Sequence, residues 1–375
     1  MTVTLKPLIS LILPPPERAD RAAPLWGEPR AHASWHSDPP TALLPPLVVV
    51  WRVTEACDLA CWYCEYNRHA YGSRRPRHSA PADEVLAFGK VLADYGASTG
   101  RAVLVSWLGG EPLVWPPLSD VSRSFKRDYG LRLGLTTNGE RLATGGFMDL
   151  LADDYDEVTV SVDGAASFHD AGRAAPGLFD RLRAAVGELS ARKARLGRGP
   201  LLRANTILMR SNLYALEALC HTLAGWGIEE VTFNLLGGQP PGPDYVLEHL
   251  LPTHISWLRS SLPGIRRRLK ERGLVIRGDN RYLDRLESSA RGERLPVVDC
   301  HPGAQFLFVD EHGRLAPCSF TAAGYGVPMG EIRSGAELAQ LPARLAEHRR
   351  QTVLAPCLDC HSTQVFGKFS RVEVP

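Results

Sequence analysis

Residues 47–66 read LVVVWRVTEACDLACWYCEY. The opening LVVVWRV is dense in β-branched and bulky apolar side chains and reads as a buried strand. Directly behind it, Cys57, Cys61 and Cys64 share one tight loop in the spacing CxxxCxxC. Three thiolates so placed suit three corners of a cubane iron–sulfur cluster, whose four irons normally take four cysteines, so one iron stays open. The same residues also admit a zinc knuckle or a few buried thiols, because a CxxC pair often holds zinc and Cys is common in cores.

Further motifs follow in fixed order, each behind a β-like run. RAVLVSWLGGEP ends in Gly109, Gly110, Glu111 and Pro112; LRLGLTTNG ends in Asn138 and Gly139; DEVTVSVDG, with Ser161 and Asp163, runs on to FHDAGR, with His169 and Arg173. Taken singly these are a Gly-Pro turn, an Asn-Gly turn and a solvated helix charge. Taken together, over residues 47 to 240, they resemble the radical S-adenosylmethionine (SAM) superfamily. The resemblance implies a 4Fe–4S cluster on Cys57, Cys61 and Cys64 whose open iron chelates the amino and carboxylate groups of S-adenosyl-L-methionine. Reductive cleavage of the sulfonium then releases a 5′-deoxyadenosyl radical. It further implies that Gly109, Gly110, Glu111 and Pro112 meet the methionine ammonium, an anion beside a cation. Asn138 and Tyr63 would contact bound cofactor, Ser161 the ribose, and Arg173 the methionine carboxylate, for which a planar guanidinium is suited. Asp163 and His169 stand as positioning residues.

Apolar runs at about 47–54, 101–107, 131–136, 157–162, 201–208 and 230–236 alternate with amphipathic runs such as PADEVLAFGKVLADYG and NLYALEALCHTLAGWG. Six such repeats predict an α/β fold with parallel pairing, because parallel strands need crossover connections. The resemblance narrows this to a partial (β/α)6 radical SAM barrel with a small C-terminal cysteine-rich module. The expected division is an irregular Pro/Ala/Arg-rich lead over 1–45, the barrel over 46–240, a linker and helical segment over 241–294, and the module over 295–375.

That module holds Cys300, Cys318, Cys357 and Cys360. The pattern C-x12-G-x4-C, with Gly313 as the glycine, followed by a distant CxxC, resembles the SPASM/twitch extension and implies a second, auxiliary 4Fe–4S cluster. FLFVDEHGRLAPC reads as a hairpin around Glu311, His312 and Gly313. A four-cysteine zinc ribbon has the same ligand count. His301 and His361 adjoin the cysteines as competing ligands, tuning groups or plain surface residues. Full SPASM domains carry enough cysteines for two auxiliary clusters and this chain does not, so one is expected. The eighth cysteine, Cys220, shares a helical face with Leu216, Leu219 and Leu223 and reads as core.

The 375 residues and 44% hydrophobic content suffice for one large core and a small module. A net charge of +2 gives no nucleic-acid footprint, and RRRLKERG at 266–273 reads as a solvated helix face. The apolar stretch LLPPLVVVW is too short to span a membrane, LISLILPPP lacks a secretory cleavage pattern, and thiols holding oxygen-sensitive clusters need a reducing compartment, so a cytoplasmic protein is expected. Trp62, Tyr66, Trp107 and Trp115 are candidates to line a pocket or to pack the barrel rim. The functional expectation is a radical SAM oxidoreductase that abstracts hydrogen from a ribosomal precursor peptide, forming a cross-link or an oxidised residue. It would draw electrons from a flavodoxin- or ferredoxin-like reductant. The alternatives are a dehydrogenase or epimerase acting on a sugar, aminocyclitol or other small metabolite, and a zinc-stabilised binding protein without the chemistry.

Overall fold

Every second residue of β1 (Leu47–Arg52) is fully buried, and this alternation sets the two faces of the sheet. The structure is a computed structural model that describes residues 45–64, 77–237 and 243–372. β1, β2 (Val103–Leu108), β3 (Arg132–Thr137), β4 (Glu157–Ser161), β5 (Leu201–Leu208) and β6 (Glu230–Leu235) pair in parallel in chain order. The crossovers are helical: α1 (Ala82–Thr99), α2 (Leu118–Arg127), α3 (Phe147–Asp154), α4 (Ala166–Arg173) with α5 (Leu178–Leu196), and α6 (Leu216–Gly225). The parallel α/β sheet expected from the alternation is therefore present.

Residues 241–294 add to this sheet. α7 (Pro243–Glu248) and α8 (Pro252–Lys270) lead to β7 (Val275–Ile276), which pairs in parallel with β6, and α9 (Asn280–Ala290) follows. At the opposite edge, β8 (Phe306–Val309) lies parallel to β1, and β9 (Arg314–Ala316) returns antiparallel to β8. The turn between them is the anticipated one. The Asp310 side chain accepts from the backbones of His312 and Arg314 at 3.0 and 2.9 Å, and Gly313 takes φ 71°. β10 (Val327–Pro328) closes a ten-stranded sheet. α10 (Ala322–Tyr325), α11 (Gly335–Gln351) and α12 (Ala355–Leu358) complete the C-terminal segment.

The outward sheet face carries the core. Trp51 and Trp107 are fully buried with ring centroids 5.8 Å apart, and Trp51 meets Phe88 of α1 edge-on at 5.8 Å. Phe125 of α2 lies 5.2 Å from Trp107, and Trp115 is buried beside it. Trp107 and Trp115 thus pack the helix layer as buried core; Tyr66 lies outside the described residues. α1 sits so close to α2 that a Cβ at Gly89 would stand 2.4 Å from the Phe125 ring. The inward face differs: Val50, Ser106, Thr136, Ser161, Asn205, Ile207 and Asn234 all keep partial exposure. The barrel therefore encloses a lined, accessible space whose upper rim is the C-terminal ends of the strands, where α/β sheets place their ligands.

Candidate active site

The cysteine loop leaves β1 and is held from both sides by backbone bonds. The amide of Gly110 donates to the Thr54 carbonyl, and that of Glu111 to the Ala56 carbonyl, each at 2.7 Å. From α4, the Gly172 carbonyl accepts from Trp62 at 3.3 Å. Gly110 has no room for a side chain, since a Cβ would meet the Ala56 carbonyl oxygen at 2.4 Å. Glu111, 1% exposed, accepts from Leu113 N at 3.0 Å, Thr137 Oγ1 at 2.8 Å and Asn138 N at 2.6 Å. One residue thus joins the ends of β2 and β3 through its carboxylate and ties them to the cysteine loop through its backbone amide. Burial outweighs these three donors and pushes its pKa up to about 7.

Asn138 Nδ2 donates to Asp58 Oδ1 at 2.9 Å and lies 3.8 Å from Cys57 Sγ. Asp58 in turn accepts from Arg141 at 2.8 Å. Cys57, Cys61 and Cys64 are free thiols, with Cys61 buried and the others half-buried. Burial raises Cys57, and raises Cys61 to about 11, with Cys64 adding electrostatically at both and Cys57 at Cys61. The bare thiols of Cys57 and Cys61 hold their protons; a bound metal would remove them. Among the described residues no group of three or more His, Cys, Asp or Glu side chains is arranged as the ligands of a single metal ion. A cubane differs from such an ion in taking each thiolate on a separate iron. Three free thiols on one pinned loop, beside a glycine cradle that a Cβ would fill, fit that group.

Beneath the loop, Asp163 is a second hub. Its Oδ2 accepts from Tyr63 Oη at 2.5 Å and from Arg173 at 3.0 and 2.8 Å, and its Oδ1 accepts from Ile207 N at 3.0 Å. Burial would raise the Asp163 pKa, but the Arg173 guanidinium and these donors bring it below the ordinary value. Burial likewise opposes the charge on Arg173, and Asp163 more than restores it. His169 accepts from Asp163 N at 3.2 Å, and its other ring nitrogen is buried without a partner. Burial, with Arg173, brings His169 down to about 4, so it is neutral at ordinary pH. Arg173, expected to meet a carboxylate, thus meets one from the protein itself, and Tyr63 and Asp163, which sequence left without partners, are its companions. Ser161 ends β4 with its side chain half-buried on the inward face, paired in register with Asn205.

The C-terminal cysteines also converge. Cys360 feels Cys318, Cys300 and Cys357 electrostatically, and burial lifts it to about 11. Arg349 of α11 donates to Cys300 Sγ at 2.8 Å, Thr321 Oγ1 lies 3.4 Å from Cys318 Sγ, and Tyr325 Oη lies 3.9 Å from Cys357 Sγ. Four converging thiols with surrounding donors suit a four-cysteine cluster, in which each thiolate takes its own iron. His301 and His361 point to solvent and pair with Asp299 and Asp359 at 3.4 and 3.2 Å. Cys220 is fully buried core. Arg349, which no motif flagged, reaches Cys300 across 49 residues and was visible only once α11 had been placed.

An α/β partial barrel with ligand-bearing loops at its strand C-termini defines a class of enzymes built on this geometry. The Radical SAM superfamily profile matches residues 51–203. An AdoMet-dependent heme synthase of Methanosarcina barkeri is 28% identical over 306 residues, covering 78% of this chain and 83% of the relative. A serine-type anaerobic sulfatase-maturating enzyme of Bacteroides thetaiotaomicron is 32% identical over 133 residues, 34% of this chain and 31% of the relative. Among solved structures, anSMEcpe with bound AdoMet superposes with a TM-score of 0.60 at 17% identity, covering 86% of this chain and 89% of its own. Streptococcus suis SuiB bound to S-adenosylmethionine gives 0.59 at 16%, covering 84% and 71%. The match makes residues 51–203 a radical SAM domain, and with these relatives it supports a radical SAM enzyme that uses S-adenosylmethionine and a 4Fe–4S cluster. Among the described residues no helix is long and apolar enough to cross a membrane.

Proposed function

We propose that this enzyme is a SPASM-type peptide maturase: it oxidises a ribosomal precursor peptide at an unactivated carbon, with Cys57, Cys61 and Cys64 holding the SAM-cleaving cluster. The observation that carries the assignment of these ligands is the cysteine loop pinned by Gly110 and Glu111 above an accessible barrel interior. When bound, cluster and S-adenosylmethionine together supply a 5′-deoxyadenosyl radical that removes a hydrogen atom from substrate carbon. The chain's residues do the rest. Glu111 and Asn138 fix the loop, Asp163 holds Arg173 and Tyr63 rigid against it, and Ser161 faces the interior, where it would meet the ribose of S-adenosylmethionine. Cys300, Cys318, Cys357 and Cys360 hold an auxiliary 4Fe–4S cluster in the 295–375 module, with Arg349 supplying a cation beside Cys300. A flavodoxin- or ferredoxin-like protein in the cytoplasm supplies electrons.

The peptide reading draws on the relative named as sulfatase-maturating, and the second reading on the heme synthases, which match over most of their own length. In that second reading the enzyme is a dehydrogenase or epimerase acting on a sugar, aminocyclitol or other small metabolite. The deciding experiment is anaerobic co-expression with a short peptide encoded beside this protein, against a control in which Cys57, Cys61 and Cys64 are all Ala. Loss of two hydrogen masses from the peptide only with the intact enzyme supports the maturase. A peptide of unchanged mass, in both H2O and D2O, refutes it and leaves the metabolite.

A further inference from the structure

One buried cation in the barrel has no part in the chemistry above. Lys368 lies in the C-terminal tail, only 6% exposed, and its Nζ donates to Asn205 Oδ1 at 2.9 Å while standing 5.1 Å from the Phe369 ring centroid. Among the described residues no carboxylate lies within ion-pair distance of it. The tail is placed with care. The amide of Gly278 donates to the Ser370 carbonyl at 3.0 Å, that of Asp279 to Gly367 at 3.3 Å, and Arg277 to Phe369 at 3.2 Å. Gly367 takes φ 72°, and a Cβ there would stand 2.4 Å from Asp279 Oδ2, so the residue that presents Lys368 has to be glycine.

Asn205 pairs in register with Ser161 on one side and Thr232 on the other. The amine thus reaches the row of inward-facing residues at Asn205, whose strand neighbours that of Ser161. Below this row the barrel floor holds three guanidiniums, Arg203, Arg277 and Arg371, against two carboxylates, Glu157 and Glu230. The floor is therefore net positive before Lys368 is counted. Asn205 occupies a single donor of an amine that has three. A buried amine above a cationic floor, aimed into space lined by half-exposed Ser161, Ile207 and Asn234, is unsatisfied until an anion arrives.

We propose that Lys368, positioned by Asn205, is a substrate-binding residue that receives a carboxylate at the inner end of the barrel. This rests on the reading that substrate enters the barrel. Burial, reinforced by Arg203, brings the amine down to about 7. Carboxylate binding therefore carries up to one proton onto Nζ, the more the further the pH lies above that value, and affinity falls as pH rises through it. The other titratable groups of the surrounding elements are Glu157 of β4, Arg203 of β5, Glu230 of β6, Arg266 of α8, Arg277 behind β7, Asp279 and Tyr282 at the head of α9, and Arg371 of the tail. Arg203, Arg277 and Arg371 are paired with Glu157 and Glu230, Asp279 with Arg281, Arg266 donates to the Ile276 and Gly278 carbonyls, and burial raises Tyr282.

The test is calorimetric titration of the anaerobic holoprotein with glutarate, with glutaramide, and with the capped peptide acetyl-Gly-Glu-Gly-amide. Glutarate or the peptide should bind with proton uptake near neutral pH while glutaramide does not, and the tighter of the two identifies a free metabolite or a peptide as the carrier. K368M should lose roughly tenfold or more in affinity, together with the pH dependence. Asn205→Asp, which sets a carboxylate against the amine, should lose glutarate binding as well. A thermal melt accompanies both, and K368M should melt no lower than wild type, because the change removes an unpaired buried amine. Equal affinity in wild type and K368M, binding of glutaramide as tight as glutarate, or no binding of either acid would overturn the proposal. These titrations need no turnover, so their failure leaves the peptide mass test untouched.

Discussion

Gly110→Ala tests whether the glycine cradle, and not the cysteines alone, builds the active site. The new Cβ would stand 2.4 Å from the Ala56 carbonyl oxygen and 2.6 Å from that of Glu55, both rigid backbone, whereas Cβ contacts under 3.0 Å are essentially never seen. Ala56 must then retreat by at least about 0.6 Å. It carries Cys57 with it, because the two are adjacent. The 2.7 Å bonds from Gly110 to Thr54 and from Glu111 to Ala56 cannot both survive that movement. Their loss costs roughly 1–3 kcal/mol of local stability, and misplacement on the order of 1 Å in a catalytic site lowers rate by up to about a hundredfold. The assay is anaerobic reconstitution followed by iron and sulfide content per chain and 5′-deoxyadenosine formation from S-adenosylmethionine. Gly109→Ala is the graded comparison, since its Cβ would meet the Thr54 carbonyl oxygen at 3.0 Å and should do less harm. A Gly110→Ala protein with full iron content and cleavage within about twofold of wild type would sink the cradle argument.

Two further expectations follow from the buried charges. Arg173→Met leaves Asp163 a buried carboxylate with only Tyr63 and Ile207 as donors, and should cost about 3–5 kcal/mol. Urea unfolding of the metal-free protein measures this, and a double change with Asp163→Leu should recover part of the loss, whereas a loss under about 1 kcal/mol would mean that the pair is open to water. Glu111 ionises near 7 in the folded protein and near 4.5 when unfolded. Its contribution is therefore fully present below the unfolded value and fades as pH rises through about 7, by about 3 kcal/mol in total. The difference in urea midpoint between the metal-free wild type and Glu111→Gln should decline over that window; a flat difference would mean that the three donors hold Glu111 ionised throughout.

Sequence carried far in the barrel because its signals are local. LVVVWRV, RAVLVSWL and their counterparts alternate with amphipathic runs, and parallel strands so connected leave little choice of topology. The order of motifs placed Cys57, Glu111, Asn138 and Ser161 at strand C-termini, since each follows its strand directly in the chain. Contacts between distant segments were decided only by tertiary structure. Trp107, open to a rim or pocket role in sequence, became core because the strand pleat turns it toward α1 and α2, and Trp115, at the end of the turn that follows β2, packs beside it and donates to the Ala80 carbonyl. Residues 241–294, read as a link with a helix, gained β7 because the edge of β6 offered unpaired backbone groups. Arg173 found its carboxylate in Asp163 ten residues earlier in the chain, through the turn between β4 and α4. Lys368 carried no motif at all. Only the return of the tail across Gly278 and Asp279, which Gly367 makes sterically possible, brings its amine 163 residues back to Asn205 inside the barrel. A strand's hydrophobic period is written within a few residues, whereas the partner of a buried charge is set by how separate segments fold against one another.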